Sequence, residues 1–109
     1  NRELEHVYKE IEYKTNEVEE ARLEHLTAKA NYENEFSEFP SETKIKKPDM
    51  TQSEIIAQAK CLAFDTQINE IKTECKYKRV QNELKAVRDK LDTLREISYN
   101  MRRELSQLH

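Results

Sequence analysis

Histidine and cysteine, the residue types that most often bind metals, are few and widely spaced in this sequence of 109 residues. Its histidines are His6, His25 and His109, and its cysteines are Cys61 and Cys75. A zinc site needs closely grouped Cys or His ligands, and these residues share no such spacing. The sequence therefore predicts neither a metal site nor another cofactor.

The two cysteines are interpreted from the distance between them. On one continuous helix, Cys61 and Cys75 would have Cα atoms roughly 21 Å apart. A disulfide requires Cα atoms within about 7 Å, so the two cannot pair within one helix. We interpret them as small buried hydrophobic residues in a reducing compartment. The alternative is a cross-link between copies of the chain in an oligomer.

Catalytic motifs are missing from the sequence. It contains no glycine, which excludes a P-loop, a dinucleotide-binding fingerprint and a nucleophile elbow. Carboxylate pairs such as Glu19-Glu20 are interpreted as solvated helix faces, because acid–base catalysis needs a desolvated site. No stretch resembles a signal peptide or a membrane span of about 20 residues. We predict a cytoplasmic protein that is not an enzyme and binds neither a membrane nor a small-molecule substrate.

The composition is typical of long helices, with 38% charged residues, 36% hydrophobic residues and only two prolines. A seven-residue repeat predicts a first, acidic helix over residues 1–36, with His25 on its apolar seam. The helix is expected to end before Pro40, because the residue before a proline disfavours the α conformation. Residues 37–50 contain both prolines and are predicted to be a linker. The repeat consists of Leu4, Ile11, Val18, His25, Tyr32 and Phe39.

Thr51 to Glu54 form a capping box that predicts the start of a second helix over residues 51–109. Its apolar residues fall into two phases, which suggests two different partners along one helix. The first phase contains Cys61, Phe64, Ile68, Ile71 and Cys75, and the second runs from Tyr77 to Leu108.

Opposite charges favour folding the first helix back on the second. Residues 1–43 hold 5 basic and 12 acidic side chains, a net charge of −7, whereas residues 44–109 hold 14 and 10, a net charge of +4. The sequence therefore predicts an all-α antiparallel helical hairpin. A first helix of this length would cover the second only to about Val87, which leaves leucines beyond it exposed.

Such an exposed leucine-rich surface predicts association with other chains through the C-terminal helix. We place an oligomerisation seam at residues 84–108, to be covered by further copies or by a helical partner protein. The predicted interface residues are Leu84, Val87, Leu91, Leu94, Met101, Leu105 and Leu108.

The second helix also carries a basic stripe, with 10 basic and 5 acidic residues over 72–103. In one interpretation its side chains flank the seam and cover it with their alkyl stems. In the other, the stripe contacts the phosphates of single-stranded DNA while tyrosines stack on bases. The candidate nucleic-acid contacts are Lys72, Lys76, Tyr77, Lys78, Arg79, Arg88, Arg95, Tyr99, Arg102 and Arg103.

The layout resembles that of the small recombination-mediator proteins of tailed phages, the UvsY type. The resemblance depends on Glu33-Asn34-Glu35-Phe36, on the lysine-bearing linker and on the closing pattern of residues 91–102. It implies a ring-like oligomer, binding of single-stranded DNA and loading of a recombinase in the cytoplasm of the host cell. By position, Leu91, Leu94, Met101 and Leu105 would assemble that oligomer.

Two functional hypotheses follow from these patterns. The first is a non-enzymatic coiled-coil scaffold that oligomerises through its C-terminal helix. The alternative is a phage-type recombination mediator that binds single-stranded DNA and helps to load a recombinase.

Overall fold

The fold consists of helices throughout the described part of the chain. The structure, a computed structural model, describes the backbone of residues 2–46 and 48–108 and the side chains of residues 2–38 and 48–108. The helices are α1 (Arg2–Lys46), α2 (Gln52–Leu62) and α3 (Phe64–Leu108). The predicted all-α class is confirmed. Two compact units can be distinguished: unit 1 combines Asn1–Glu20 with Lys78–His109, and unit 2 is Ala21–Tyr77.

In unit 1, the start of α1 packs antiparallel against α3. Tyr8 contacts Arg95, whereas Lys14, further along α1, contacts Glu83, earlier on α3. The hydrophobic cluster between the two helices excludes water from Val7, which has 0% exposure. The members of the cluster are Val7, Val87 and Leu91, with Leu4, Ile11 and Leu94 packed against them.

This packing corrects part of the predicted oligomer interface. Leu84, Val87 and Leu91 are only 7–8% exposed within the single chain, and Leu94 packs against the cluster. Leu91 and Leu94 were expected on an open surface because α1 was predicted to reach only Val87. The pairing of α1 with α3 extends further along α3, so the same chain covers these four residues.

Unit 2 has a core of mostly small side chains. Its buried hydrophobic residues are Ala21, Ala28, Ile55, Ala59 and Ala63, each no more than 2% exposed. Nearby, Nδ1 of His25 lies 3.3 Å from the hydroxyl oxygen of Thr73, and its ring stacks on Tyr77 with centroids 6.5 Å apart. The prediction that His25 belongs to the helical seam is confirmed.

The first helix is longer than predicted. Residues 1–36 were expected to be helical and residues 37–50 to be a linker, but α1 continues through Pro40 to Lys46. A proline inside a helix removes one backbone hydrogen bond and costs about 3 kcal/mol, which disfavours the helix without forbidding it. The described connection between α1 and α2 is therefore only residues 48–51.

The predicted second helix starts where expected but is interrupted once. The Thr51 hydroxyl oxygen accepts a hydrogen bond of 3.2 Å from the backbone N–H of Glu54, which confirms the cap. Ala63 then separates α2 from α3 with φ −87° and ψ 8°. The Thr66 hydroxyl donates to the Ala63 carbonyl at 2.9 Å, and such bonds from threonine to the preceding turn bend helices.

The earlier apolar phase of the second helix is largely exposed, and the prediction that its two cysteines are buried is wrong. Phe64 is 56% exposed and Ile71 is 51% exposed, and both cysteines are exposed rather than buried. The inward positions instead keep one spacing of three and four, because a coiled-coil seam holds a single phase along a helix. These inward positions are Ile55, Ala59, Ala63, Thr66, Glu70, Thr73, Tyr77, Val80, Leu84, Val87, Leu91 and Leu94.

Candidate self-association and nucleic-acid surfaces

The end of α3 presents an apolar surface that continues the buried seam of unit 1. The spacing of three and four that includes Leu91 and Leu94 leads on to Met101, Leu105 and Leu108, which we call the C-terminal seam. These three side chains are 58%, 57% and 79% exposed. A seam with this spacing suits a second helix, which would take up the same periodicity.

The C-terminal seam lies beyond the part of α3 that α1 contacts in unit 1. A groove of about 290 Å³ in unit 1 is lined by residues from the beginning of α1 together with Lys90 and Leu94 of α3. From Leu94 to Leu108, α3 extends roughly 21 Å further. Ile97, at 49% exposure, adds to the apolar surface of this extension.

A charged group lies within the seam of unit 1. Lys14 follows the seam spacing after Ile11, and its Nζ donates to Oε2 of Glu83 at 2.6 Å and to Oε2 of Glu17 at 3.2 Å. The hydrogen bond to Glu83, more than any other contact, raises the pKa of Lys14. The same bond lowers the pKa of Glu83. We call Lys14, Glu17 and Glu83 the charged layer. Its sequence signal is a lysine at a seam position where the repeat otherwise places an apolar residue. Charged seam residues select one register of pairing.

Several predicted nucleic-acid contacts are engaged within the chain. Lys76 forms an ion pair with Glu24 at 3.1 Å, and Arg79 lies 3.7 Å from Oε1 of Glu83. Tyr77 is half-buried beside His25. Lys76 and Tyr77 thus contact α1 within unit 2, whereas Arg79 pairs within α3 itself. The interpretation of the stripe as flanking charges predicts such contacts.

Arg95 is also engaged with α1. Its Nη2 donates to the Tyr8 hydroxyl oxygen at 2.8 Å, and its guanidinium carbon lies 5.7 Å from the centroid of the Tyr8 ring. The hydrogen bond raises the pKa of Arg95. The exposed members of the predicted set include Lys72, Lys78, Arg88, Tyr99, Arg102 and Arg103.

Among the described side chains of residues 2–38 and 48–108, no group of three or more His, Cys, Asp or Glu is arranged to hold a metal ion. None of the described helices combines the length and apolar character needed to span a bilayer.

The structure thus defines an all-α fold in which α3 carries exposed apolar side chains in both units. No protein-family model, curated protein or solved structure matches the chain. The resemblance to recombination mediators of the UvsY type stays a prediction.

Proposed function

We propose that this chain is a non-enzymatic helical assembly module that associates with further copies of itself through the C-terminal seam. The observation that carries the proposal is the change in exposure along one seam. Leu91 is 7% exposed under α1, whereas Leu105, two seven-residue repeats later on α3, is 57% exposed. A second copy supplies a helix with the same spacing.

The area available indicates how strong this association would be. Full burial of one such side chain contributes about 2 kcal/mol, so six seam side chains from two copies, each roughly 0.6 exposed, contribute on the order of 7 kcal/mol. Association costs about 4–15 kcal/mol in lost freedom of motion. We therefore expect a reversible assembly that depends on protein concentration, with additional apolar surface from Ile97.

The test is a measurement of native mass by light scattering over a range of protein concentrations. The Leu105→Glu variant places a carboxylate in the C-terminal seam. Asn100→Glu adds the same charge to an exposed position of α3 outside the seam and is the matched control. Circular dichroism of both variants reports whether the helices remain formed.

We expect the unsubstituted chain and Asn100→Glu to increase in mass with concentration. Leu105→Glu should weaken the association by about a hundredfold or more, because each of two copies loses the burial of one leucine and would have to bury a charge. A single-copy mass for the unsubstituted chain at high concentration would refute the proposal. Equal association by the two variants would refute the assignment of the seam.

Binding of single-stranded DNA, followed by loading of a recombinase, is the second candidate function. It is favoured by the exposure of Tyr99, at 65%, one helical turn before the exposed Arg102 and Arg103. An exposed tyrosine beside arginines combines a stacking surface with phosphate contacts.

This second candidate is tested by titration of a single-stranded oligonucleotide at low and raised salt. Phosphate contact predicts affinity that falls steeply as salt rises. The combined Arg102→Glu and Arg103→Glu variant should abolish the binding, whereas Lys85→Glu, also on the exposed surface of α3, should reduce it less. Absence of binding at low salt would exclude the mediator function.

A further inference from the structure

A second apolar surface lies on unit 2, separate from the C-terminal seam. Along α3, exposed or half-buried side chains follow one another at spacings of four, three and four, and an exposed cysteine precedes them by three residues at the end of α2. We call this set the outer stripe. Its members are Cys61, Phe64, Ile68, Ile71 and Cys75.

The two faces of α3 in unit 2 have the reverse of the usual polarity. With about 3.6 residues per turn, the outer stripe falls on the side of the helix opposite to the inward positions. The inward side holds Thr66, Glu70 and Thr73, whereas the exposed side holds a phenylalanine and isoleucines. A helix that needed to bury only its inner face would carry the apolar residues there. The outer stripe therefore suits a contact with another chain.

The outer stripe continues across the break between α2 and α3. The backbone N–H of Ala63 donates to the Ala59 carbonyl at 2.9 Å, and that of Gln67 donates to the Ala63 carbonyl at 2.9 Å. Both bonds have the spacing of an α-helix. Cys61 on α2 is thus kept in phase with Phe64 on α3.

We propose that the outer stripe is a second self-association surface, on which the outer stripe of another copy packs parallel and in register. With Cys61, Ile68 and Cys75 at position a and Phe64 and Ile71 at position d, this arrangement aligns all five members of the stripe with their equivalents. Each of the two possible antiparallel registers aligns only four members of the stripe with members of the other stripe. In each, the remaining cysteine lies against a residue outside the stripe.

The charges beside the outer stripe fit this parallel arrangement. In a parallel coiled coil, position g of one helix faces the following position e of the other. Lys60 would face the partner's Asp65, and Gln67 would face the partner's Lys72. Lys60 and Asp65 carry opposite charges, so their contact is attractive, and it occurs twice by symmetry. In the other pair only Lys72 is charged, so that contact is not repulsive. Both sets of side chains flank the stripe within unit 2.

The parallel register has a chemical consequence that can be measured. Cys61 would lie opposite the partner's Cys61, and Cys75 opposite the partner's Cys75. Facing a positions of two parallel helices bring Cα atoms within the range that a disulfide spans. Both thiols are free and exposed in the single chain, so an added oxidant can link them across the interface.

The experiment compares the cross-linking rates of variants that contain one cysteine. Cys61→Ser leaves only Cys75, and Cys75→Ser leaves only Cys61. The control carries both substitutions together with Asn69→Cys, an exposed position of α3 outside the stripe. Each is treated with diamide, which accepts the two protons and two electrons released by disulfide formation, and dimers are counted on a non-reducing gel.

We expect both variants to form disulfide dimers about tenfold or more faster than the Asn69→Cys control, because facing thiols have a high effective concentration. Ile71→Lys should slow the cross-linking about tenfold with helicity unchanged, whereas Asn69→Lys should not. Rates equal to the control would overturn the proposal. Dimers formed only when both cysteines are present would overturn the parallel register.

The inference does not depend on the C-terminal seam. Cross-linking through Cys61 and Cys75 is expected to persist in the Leu105→Glu variant, which tests the proposed function. A smaller gain of mass with concentration in that variant, with retained cross-linking, would separate the two surfaces. Retained mass with no preferential cross-linking would refute the outer stripe alone.

Discussion

Replacement of Val7 by alanine tests whether α1 itself covers the leucine seam of α3. Val7 has 0% exposure and packs in one cluster with Val87 and Leu91. If another chain covered those two residues, as the sequence pattern alone suggested, Val7 would contribute little to stability. The substitution thus distinguishes pairing within the chain from pairing between chains.

The expected size of the effect follows from the groups that are removed. Val7→Ala deletes two methyl groups, and their transfer from water contributes about 1.6 kcal/mol. The cavity left between the helices adds to this loss, whereas the higher helix propensity of alanine offsets about 0.5 kcal/mol. We expect the free energy of unfolding to fall by about 2 kcal/mol, and Tm to fall by about 8–16 °C.

The assay is urea and thermal unfolding followed by circular dichroism at one fixed protein concentration. Leu23→Ala is the control, since Leu23 also lies on α1 but is 51% exposed, and its replacement should change the free energy of unfolding by no more than about 0.5 kcal/mol. An equally small effect of both substitutions would show that α1 does not bury Val87 and Leu91, and would refute the packing of unit 1.

Other substitutions test the core of unit 2, the cap of α2 and the charged layer. Ala59→Leu should destabilise the fold by about 1–3 kcal/mol, because Ala59 has 0% exposure and overpacking strains a core, whereas the exposed Ala57→Leu should not. Thr51→Ala should cost about 1 kcal/mol in urea unfolding by removing the helix cap, and Thr51→Ser should retain most of it. The contact with Lys14 lowers the pKa of Glu83 below its ordinary 4.5, so its contribution to stability is present above that pH and is lost as pH falls through the lowered pKa. Unfolding measured against pH should therefore show a weaker acid dependence for Glu83→Gln, and an unchanged acid dependence would contradict the assignment.

Much of the helical architecture was predictable from local rules. The absence of glycine and the heptad spacing of the first helix predicted long helices, and the charge difference between the two parts of the chain favoured the fold-back that the structure has. The cap at Thr51 and the seam position of His25 were also predicted correctly. In each case the cause is local helix chemistry or a periodicity that the sequence displays directly.

The errors arose where the largest apolar side chains do not lie at the inward positions of the seam. Between residues 61 and 75 the largest apolar side chains follow one phase, and the two cysteines in that phase were predicted to be buried. The inward phase there holds Thr66, Glu70 and Thr73, and only an extension of the spacing backward from Val80 would have found it. Similarly, the sequence predicted that the first helix ends before Pro40. That prediction counted the energetic penalty of a proline inside a helix and left out the helix on either side of it.

The two apolar phases of α3 indicate which of its surfaces are candidates for contact with other copies. On α3, one phase is buried where α1 packs in unit 1, and the same phase becomes exposed at the C-terminal seam. The other phase is apolar only along the outer stripe of unit 2, opposite an inner face that carries threonines and a glutamate. Neither exposed set is buried among the described residues. The proposed contacts between copies would bury both sets, since an amphipathic helix places apolar residues where it meets a neighbour.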